Sequence, residues 1–178
     1  MPDTAEIFKG GSEDRFSHRP MMPANVRAGQ VIGLVEVTGG LGSKIDASQL
    51  ADELGEDIAV LLPILEAAEL LGLVVTNKGE VTLTEFGHKF QKTLKNKVRL
   101  LRDKLAEIEP FRTALVIASH RRDVNTEDIV EELETEGIRW HHQRDINYSL
   151  VQALLIHWAL YSGMLTYDGR TGKFKRAA

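Results

Sequence analysis

Residues 57–84 have the sequence DIAVLLPILEAAELLGLVVTNKGEVTLT, which carries the strongest fold signal in the chain. Apolar residues recur at helical spacing over about residues 57–71, which predicts a helix, and Gly72 is a residue type that commonly ends one. Two short β-prone runs then flank the turn Asn77-Lys78-Gly79, a pattern typical of a β-hairpin. A helix followed directly by a hairpin is the final part of a winged helix–turn–helix unit.

The segment before this stretch supplies the other helices of such a unit. Apolar residues upstream of Gly39-Gly40 fall on one helical face, and Asp46 is placed to cap a second, short helix that ends at Gly55. Residues 24–84 are therefore predicted to form a first winged-helix unit. Residues 1–23 contain three prolines and show no sustained periodicity, so they are predicted to be a flexible N-terminal tail.

The rest of the chain repeats this pattern after a connecting segment. Apolar residues three, four or seven apart predict one long linking helix over residues 85–109, which Pro110 ends. Three helices and a second wing are predicted in residues 110–178, with Asn125 as the cap of the middle helix and Gly163 after the last one. The predicted fold is mainly α with small β wings, arranged as tandem winged helix–turn–helix units joined by a long helix.

Composition limits the classes of function. The chain has 178 residues, of which 43% are hydrophobic and 27% charged, which fits a globular chain and excludes a disordered or repetitive one. It contains no cysteine, which removes disulfides, thiolate metal sites and thiol nucleophiles. No apolar run approaches the length of a membrane span or a signal peptide, so a cytoplasmic location without membrane insertion is expected.

The charges are segregated along the chain. Residues 44–87 hold nine acidic and two basic residues, whereas residues 88–112 hold eight basic and three acidic residues. Complementary surfaces of this kind suit docking between segments, between copies of the chain, or to a partner. A homo-oligomer is therefore expected.

The sequence shows no constellation for catalysis, metal binding or cofactor binding. The six histidines lack the His-x-x-x-His or His-x-x-Glu spacing of a helical metal site, and the neighbours His141 and His142 are expected to be surface residues. Glu66 and Glu69 lie three apart without a predicted partner for acid–base chemistry, so a solvated helix face is expected. The chain also contains no Gly-x-x-x-x-Gly-Lys-Ser/Thr phosphate loop. We therefore do not expect an enzyme.

Winged helices often bind DNA by placing the third helix in the major groove, which requires polar or cationic side chains near the start of that helix. In the first unit this helix follows Glu56 and Asp57, which argues against DNA. The second unit offers residues of the required type, together with basic residues on its wing for phosphate contacts. These candidate DNA contacts are Arg144, Asn147, Tyr148, Lys173 and Lys175.

Three aromatic residues near the end of the chain are candidates for an interface or a ligand pocket. Trp158 and Tyr161 lie three apart on an apolar stripe of the last predicted helix, and Tyr167 lies in the second wing. A place in the core is the alternative for the first two.

A set of motifs between residues 33 and 168 is shared with a known protein family. The most specific stretch is Glu66-Ala-Ala-Glu-Leu-Leu-Gly72. The other matching residues are Gly33-Leu34 with Glu36, Gly39-Gly40, Leu50-Ala51 with Leu54, Asp57, Leu61-Leu62-Pro63, Gly79, Leu83-Thr84, Gly87, Trp158, Tyr161 and Tyr167-Asp168. These motifs resemble the AAA-associated C-terminal domain that follows the ATPase domain in nucleotide-binding subunits of nitrate, sulfonate, taurine and bicarbonate-type ABC importers. Leu160 departs from the family, because an Arg is usual at that position.

The resemblance implies a non-enzymatic regulatory module that interacts with the ATPase domain or subunit of an ABC importer of the nitrate, sulfonate or taurine type. It implies no catalytic residue, cofactor or metal, and it places the chain at the periphery of the inner membrane through the transporter. A winged-helix DNA-binding transcription regulator is the alternative, which depends on the second unit.

Overall fold

The computed structural model describes residues 19–177. In this range the chain is mainly helical with two three-stranded antiparallel sheets, which confirms the predicted class of a mainly α fold with small β elements. Residues 1–18 of the predicted tail lie outside the described residues. None of the helices within residues 19–177 combines the length and the apolar character that crossing a bilayer requires.

Three helices and a three-stranded sheet make up the first half of the described chain. The Asp46 carboxylate accepts hydrogen bonds from the N–H groups of Ser48 and Gln49 at the start of the second helix, and Gly55 in the left-handed conformation ends it. The predicted cap at Asp46 is thereby confirmed. The elements are α1 (Ala28–Gly40), β1 (Lys44–Asp46), α2 (Ala47–Leu54), α3 (Ile58–Leu70), β2 (Val74–Asn77) and β3 (Glu80–Leu83).

The predicted hairpin is confirmed as β2 and β3, with Val74 opposite Leu83. A third strand that the sequence did not predict, β1, pairs with the other edge of β3 and places Ile45 opposite Val81. Both of these side chains are buried, so β1 extends the sheet over the core. β1 has only three residues, too few to give a periodic signal.

Helix α4 (Glu85–Lys92) follows this hairpin, and its first turn is closely packed. Thr84 caps the helix: its hydroxyl oxygen accepts a hydrogen bond from Gly87 N–H at 2.9 Å, and its own N–H donates to the Leu73 carbonyl at 3.0 Å. A Cβ on Gly87 would lie 2.1 Å from that same carbonyl oxygen, so only glycine fits there. Thr84 and Gly87 therefore fix the start of α4 against the turn between α3 and β2.

The prediction of a single long helix over residues 85–109 is wrong. The chain leaves the helix at Thr93, whose backbone is extended, and turns through Asn96 in the left-handed region with φ 56°. Leu94 lies in the middle of the predicted helix but is 93% exposed, so it provides none of the burial that would stabilise a continuous helix. The segment forms α4, a 3₁₀ helix (Lys97–Leu101) and α5 (Arg102–Leu105).

The second half repeats the order of helix, short strand, two helices and hairpin. The Asn125 side chain accepts a hydrogen bond from Asp128 N–H, and the Asp128 carboxylate accepts one from Asn125 N–H, which confirms the predicted cap. The elements are α6 (Phe111–His120), β4 (Val124–Asn125), α7 (Thr126–Thr135), α8 (Arg144–Leu154), a π-helical segment (Leu155–Leu160), β5 (Leu165–Asp168) and β6 (Lys173–Arg176).

The two sheets have corresponding strand orders, β1-β3-β2 in the first half and β4-β6-β5 in the second. In each, a short strand before the middle helix adds to the last strand of a hairpin. The two halves therefore share both their element order and their sheet arrangement. The assignment of the two units to the winged-helix class stays a prediction.

One continuous core joins the two halves. Trp158 is fully buried, and its indole N–H donates a hydrogen bond to the Val26 carbonyl at 2.8 Å across the junction. Arg102 donates from Nε and Nη2 to the carbonyls of Ser162 and Gly163, each at 2.7 Å. These bonds fix the segment that links the halves to the end of the last helix.

Residues 19–23, which the sequence assigned to the flexible tail, pack against the second half. Met22 is buried, and its carbonyl accepts a hydrogen bond from the Trp140 indole N–H at 2.7 Å. Its N–H donates to the Glu109 carbonyl at 2.9 Å, and the buried Glu109 carboxylate lies 3.6 Å from the Arg19 guanidinium. This short segment is therefore part of the packed structure.

Candidate protein interface

Helix α3 presents an apolar surface on two sides. Asp57 starts the helix by accepting a hydrogen bond from Ala59 N–H at 2.8 Å. One side is buried and faces the core through Leu61, Ile64, Leu65 and Ala68.

The other side of α3 forms an exposed ridge. Ile58 and Leu62 lie one turn apart on it and are 41% and 56% exposed. Glu66 lies at the next turn and Glu69 just beyond it, and both are exposed. We call these four residues the α3 ridge, which is apolar at its start and acidic at its end.

Further carboxylates surround the apolar end of the α3 ridge. Glu53 at the end of α2, Glu56 and Asp57 are all exposed, and the sequence of α3 contains no basic residue. An apolar strip with a charged margin is typical of a protein-binding surface, whereas carboxylates repel the phosphates of nucleic acid. The ridge therefore fits a protein partner that carries basic residues.

Helical periodicity alone does not reveal this surface. Ile58 and Leu62 lie in the same predicted helix as Leu61 and Leu65, but only the last two are buried. Residues 58–62 are five consecutive apolar residues, which is wider than one buried helix face requires. That excess of apolar residues is the signal that could have indicated a second contact surface.

A second exposed apolar residue lies in residues 93–96, which we call the Leu94 loop. Leu94 is at its tip, and Lys92 and Lys95 are exposed beside it. Arg99 in the following 3₁₀ helix is also exposed. The Leu94 loop therefore has an apolar tip and a basic margin, the opposite charge to that of the α3 ridge.

The three aromatic candidates have different surroundings. Trp158 is in the core at the junction of the two halves. Tyr161 is 58% exposed and lines a cleft of about 400 Å³ next to the Leu94 loop. Tyr167 lies on the second hairpin and packs against Phe174, with ring centres 4.7 Å apart. These three described residues do not share one pocket.

Asn147 is the candidate DNA contact that the structure turns inward. Its side chain is 1% exposed, and its Oδ1 accepts hydrogen bonds from the backbone N–H groups of Trp140 at 2.8 Å and His141 at 3.3 Å. The side chain therefore holds the segment before α8 and has no free edge for a base.

The other candidate DNA contacts lie nearer the surface. The exposed Arg144 forms ion pairs with Glu127 and Glu131 of α7, and chiefly the Glu127 carboxylate raises the pKa of Arg144. Lys173 lies 3.5 Å from the Asp123 carboxylate. Tyr148 is half-buried against the core, and Lys175 is exposed. Two of the basic candidates, Arg144 and Lys173, are thus paired with carboxylates of the same chain.

Within the part of the chain that the structure describes, no group of three or more His, Cys, Asp or Glu side chains could hold a metal ion. His141 and His142 stack on each other with ring centres 4.4 Å apart. The expectation that the chain has no catalytic, metal or cofactor site stays a prediction.

A family model matches most of the described chain. The family is described as the C-terminal AAA-associated domain, and the match covers residues 48–168, more than half of the sequence. This range includes the α3 ridge and the Leu94 loop. No curated protein and no solved structure matches the chain significantly.

Proposed function

The chain belongs to the C-terminal AAA-associated domain family, and from this membership we propose that it is a non-enzymatic regulatory module that docks on the ATPase domain or subunit of an ABC importer. Membership confirms the resemblance seen in the sequence and supports association with an ABC ATPase. The proposal adds that the importer is of the nitrate, sulfonate or taurine type. It also adds that the two units are winged helices used for protein contact, at the cytoplasmic periphery of the membrane.

The α3 ridge is the observation that carries this proposal. In a winged helix that binds DNA, the helix at this position enters the major groove and carries cations or amides. Here α3 offers Ile58 and Leu62 followed by two carboxylates. Burial of these two apolar side chains against a protein surface is favourable, by about 25 cal/mol for each Å² of apolar area removed from water. A nucleic-acid backbone would instead meet repelling charge.

The ridge also specifies the chemistry of the surface that receives it. A shallow apolar pocket on the ATPase, with Lys or Arg at its margin, would bury Leu62 and pair with the carboxylates around it. Such charge complementarity speeds association and fixes the relative orientation of the partners. A contact limited to one helix ridge is small, as in reversible regulatory interactions.

Calorimetric titration of the full chain with the purified nucleotide-binding subunit of an importer of this type, encoded in the same genome, tests the proposal. Leu62→Glu places a charge at the centre of the ridge and should weaken Kd at least about 30-fold, the effect of losing a central interface residue. The matched control is Ile146→Glu on α8, where the native side chain is 40% exposed. It should change Kd less than about twofold. Equal losses for the two variants, or no binding by the unaltered chain, would overturn the proposal.

The module should also act without hydrolysing nucleotide itself. The purified chain alone should release no phosphate from ATP, and it should change the ATPase rate of the subunit when the two are mixed. Phosphate release by the chain alone, abolished by a point substitution in it, would contradict the non-enzymatic role.

A further inference from the structure

The α3 ridge and the Leu94 loop complement each other in both polarity and charge. We infer that the Leu94 loop of one copy of this chain binds the α3 ridge of a second copy, so that the protein self-associates through these two surfaces. The inference does not depend on the ATPase partner. Where the proposed function also holds, self-association and ATPase binding compete for the same ridge.

The Leu94 loop is anchored to the neighbouring helices at both of its ends. The Thr93 hydroxyl donates a hydrogen bond to the Lys89 carbonyl at 2.8 Å, which anchors the loop to the last turn of α4. Asn96 adopts the left-handed conformation, which asparagine tolerates better than most residues, and directs the chain into the 3₁₀ helix. Leu94 lies between these two anchored residues, with its side chain in solvent.

Among residues 19–177, the Leu94 side chain is 93% exposed, so the part of the chain that the structure describes leaves it in solvent. It therefore does not reach the α3 ridge of the same molecule. Burial of this side chain requires a surface that residues 19–177 of the same molecule do not supply. Ile58 and Leu62 of a second copy provide one, because they are exposed and one helical turn apart.

The margins of the two surfaces select this pairing over the alternatives. Lys92 and Lys95 beside the loop would face Glu66 and Glu69 of the ridge. Contact of loop with loop would bring lysines together, and contact of ridge with ridge would bring carboxylates together, both of which are unfavourable. Of the three pairings between these surfaces, only loop with ridge places opposite charges in contact.

Sedimentation equilibrium of the full chain tests the inference. At about 100 µM in low salt, a concentration suited to a small interface, the unaltered chain should show a mass above that of one chain. The mass should fall toward the 19.8 kDa of a single chain as salt is raised, because salt screens the charged margins. Leu94→Glu alone and Leu62→Glu alone should each sediment as single chains, whereas the control Ile146→Glu should associate like the unaltered chain.

A mixture of the two single variants gives the sharpest test. Leu94→Glu keeps an intact ridge and Leu62→Glu keeps an intact loop, so an equal mixture should form a dimer although neither variant does so alone. Misfolding of either variant could not produce this result.

Three sedimentation results would overturn the inference. They are a single-chain mass for the unaltered chain, association that survives both substitutions, and a mixture that stays as single chains. Anionic lipid vesicles that retain the unaltered chain but not Leu94→Glu, in the absence of self-association, would assign the Leu94 loop to a lipid surface and would also refute it.

Discussion

Helices α3 and α8 hold the same place in the order of their units, yet they use their first turns differently. At the start of α8, Asn147 turns inward, and its amide oxygen holds the backbone N–H groups of Trp140 and His141. At the start of α3, Ile58 and Leu62 turn outward. α8 is thus tied to its own unit by a polar side chain, whereas α3 exposes two apolar side chains one helical turn apart.

The difference shows that the order of elements does not by itself specify the class of partner. Both halves have three helices and a three-stranded sheet in the same arrangement. In the second half, Arg144 is already paired with Glu127 and Glu131 of the neighbouring helix. The surface chemistry of each third helix, and not its topology, therefore indicates what it can bind.

The largest expected effect tests whether the end of the last helix belongs to the core. Trp158→Ala should lower the free energy of unfolding by roughly 3–5 kcal/mol, because it leaves a cavity and deprives the Val26 carbonyl of its donor. Urea unfolding followed by circular dichroism measures this change. The control Tyr161→Ala, at an exposed residue, should lower it by less than about 1 kcal/mol. Equal losses would show that Trp158 does not join the two halves.

A smaller effect separates the first turns of the two helices. Asn147→Ala should cost about 1–3 kcal/mol of stability, because the partly buried N–H groups of Trp140 and His141 lose their acceptor. Leu62→Ala on α3 should change stability by less than about 0.5 kcal/mol, because its side chain is largely in solvent. The same unfolding measurement serves for both variants. A larger loss of stability for Leu62→Ala than for Asn147→Ala would contradict this comparison, in which the start of α8 is held within its own unit and the start of α3 is exposed.

The features that could be predicted from the sequence depend on neighbouring residues. Gly55 and Gly72 follow helices and adopt the left-handed conformation, as their residue type indicates. Asp46 and Asn125 cap the helices that begin right after them. The caps, the hairpins and the division into two similar units are therefore visible in short stretches of sequence.

The features that could not be predicted depend on distant parts of the chain. Leu94 and Leu101 are seven apart, as in a helical stripe, but no local pattern shows that one is exposed and the other buried. The inward turn of Asn147 depends on the position of the loop before α8. The exposure of Leu62 depends on which side of α3 meets the core. The candidate interface therefore could not be predicted from sequence patterns. The signal that pointed to it was the excess of apolar residues at 58–62.

The smallest expected effect concerns nucleic acid. Since Asn147 is buried and Arg144 is paired, duplex DNA should bind no more tightly than about 10⁻⁴ M near physiological salt, as in weak non-specific association. Lys175→Glu should change this binding little. Fluorescence anisotropy with a labelled duplex measures both. A sequence-specific complex tighter than about 10⁻⁷ M would show that α8 serves as a DNA-binding helix, and the contrast with α3 would then fail.

Hydroxyl-radical footprinting compares the two helices most directly. The oxidation of Ile58 and Leu62 on α3, and of Ile146 on α8, is measured with and without a saturating amount of the ABC importer ATPase subunit. The chain is kept at a concentration where sedimentation shows single chains, so that self-association does not protect the ridge. We expect the ATPase subunit to lower the oxidation of Ile58 and Leu62 several-fold and to leave Ile146 unchanged. Protection of Ile146, with Ile58 and Leu62 as reactive as in the free chain, would contradict the assignment of the α3 ridge as the docking surface.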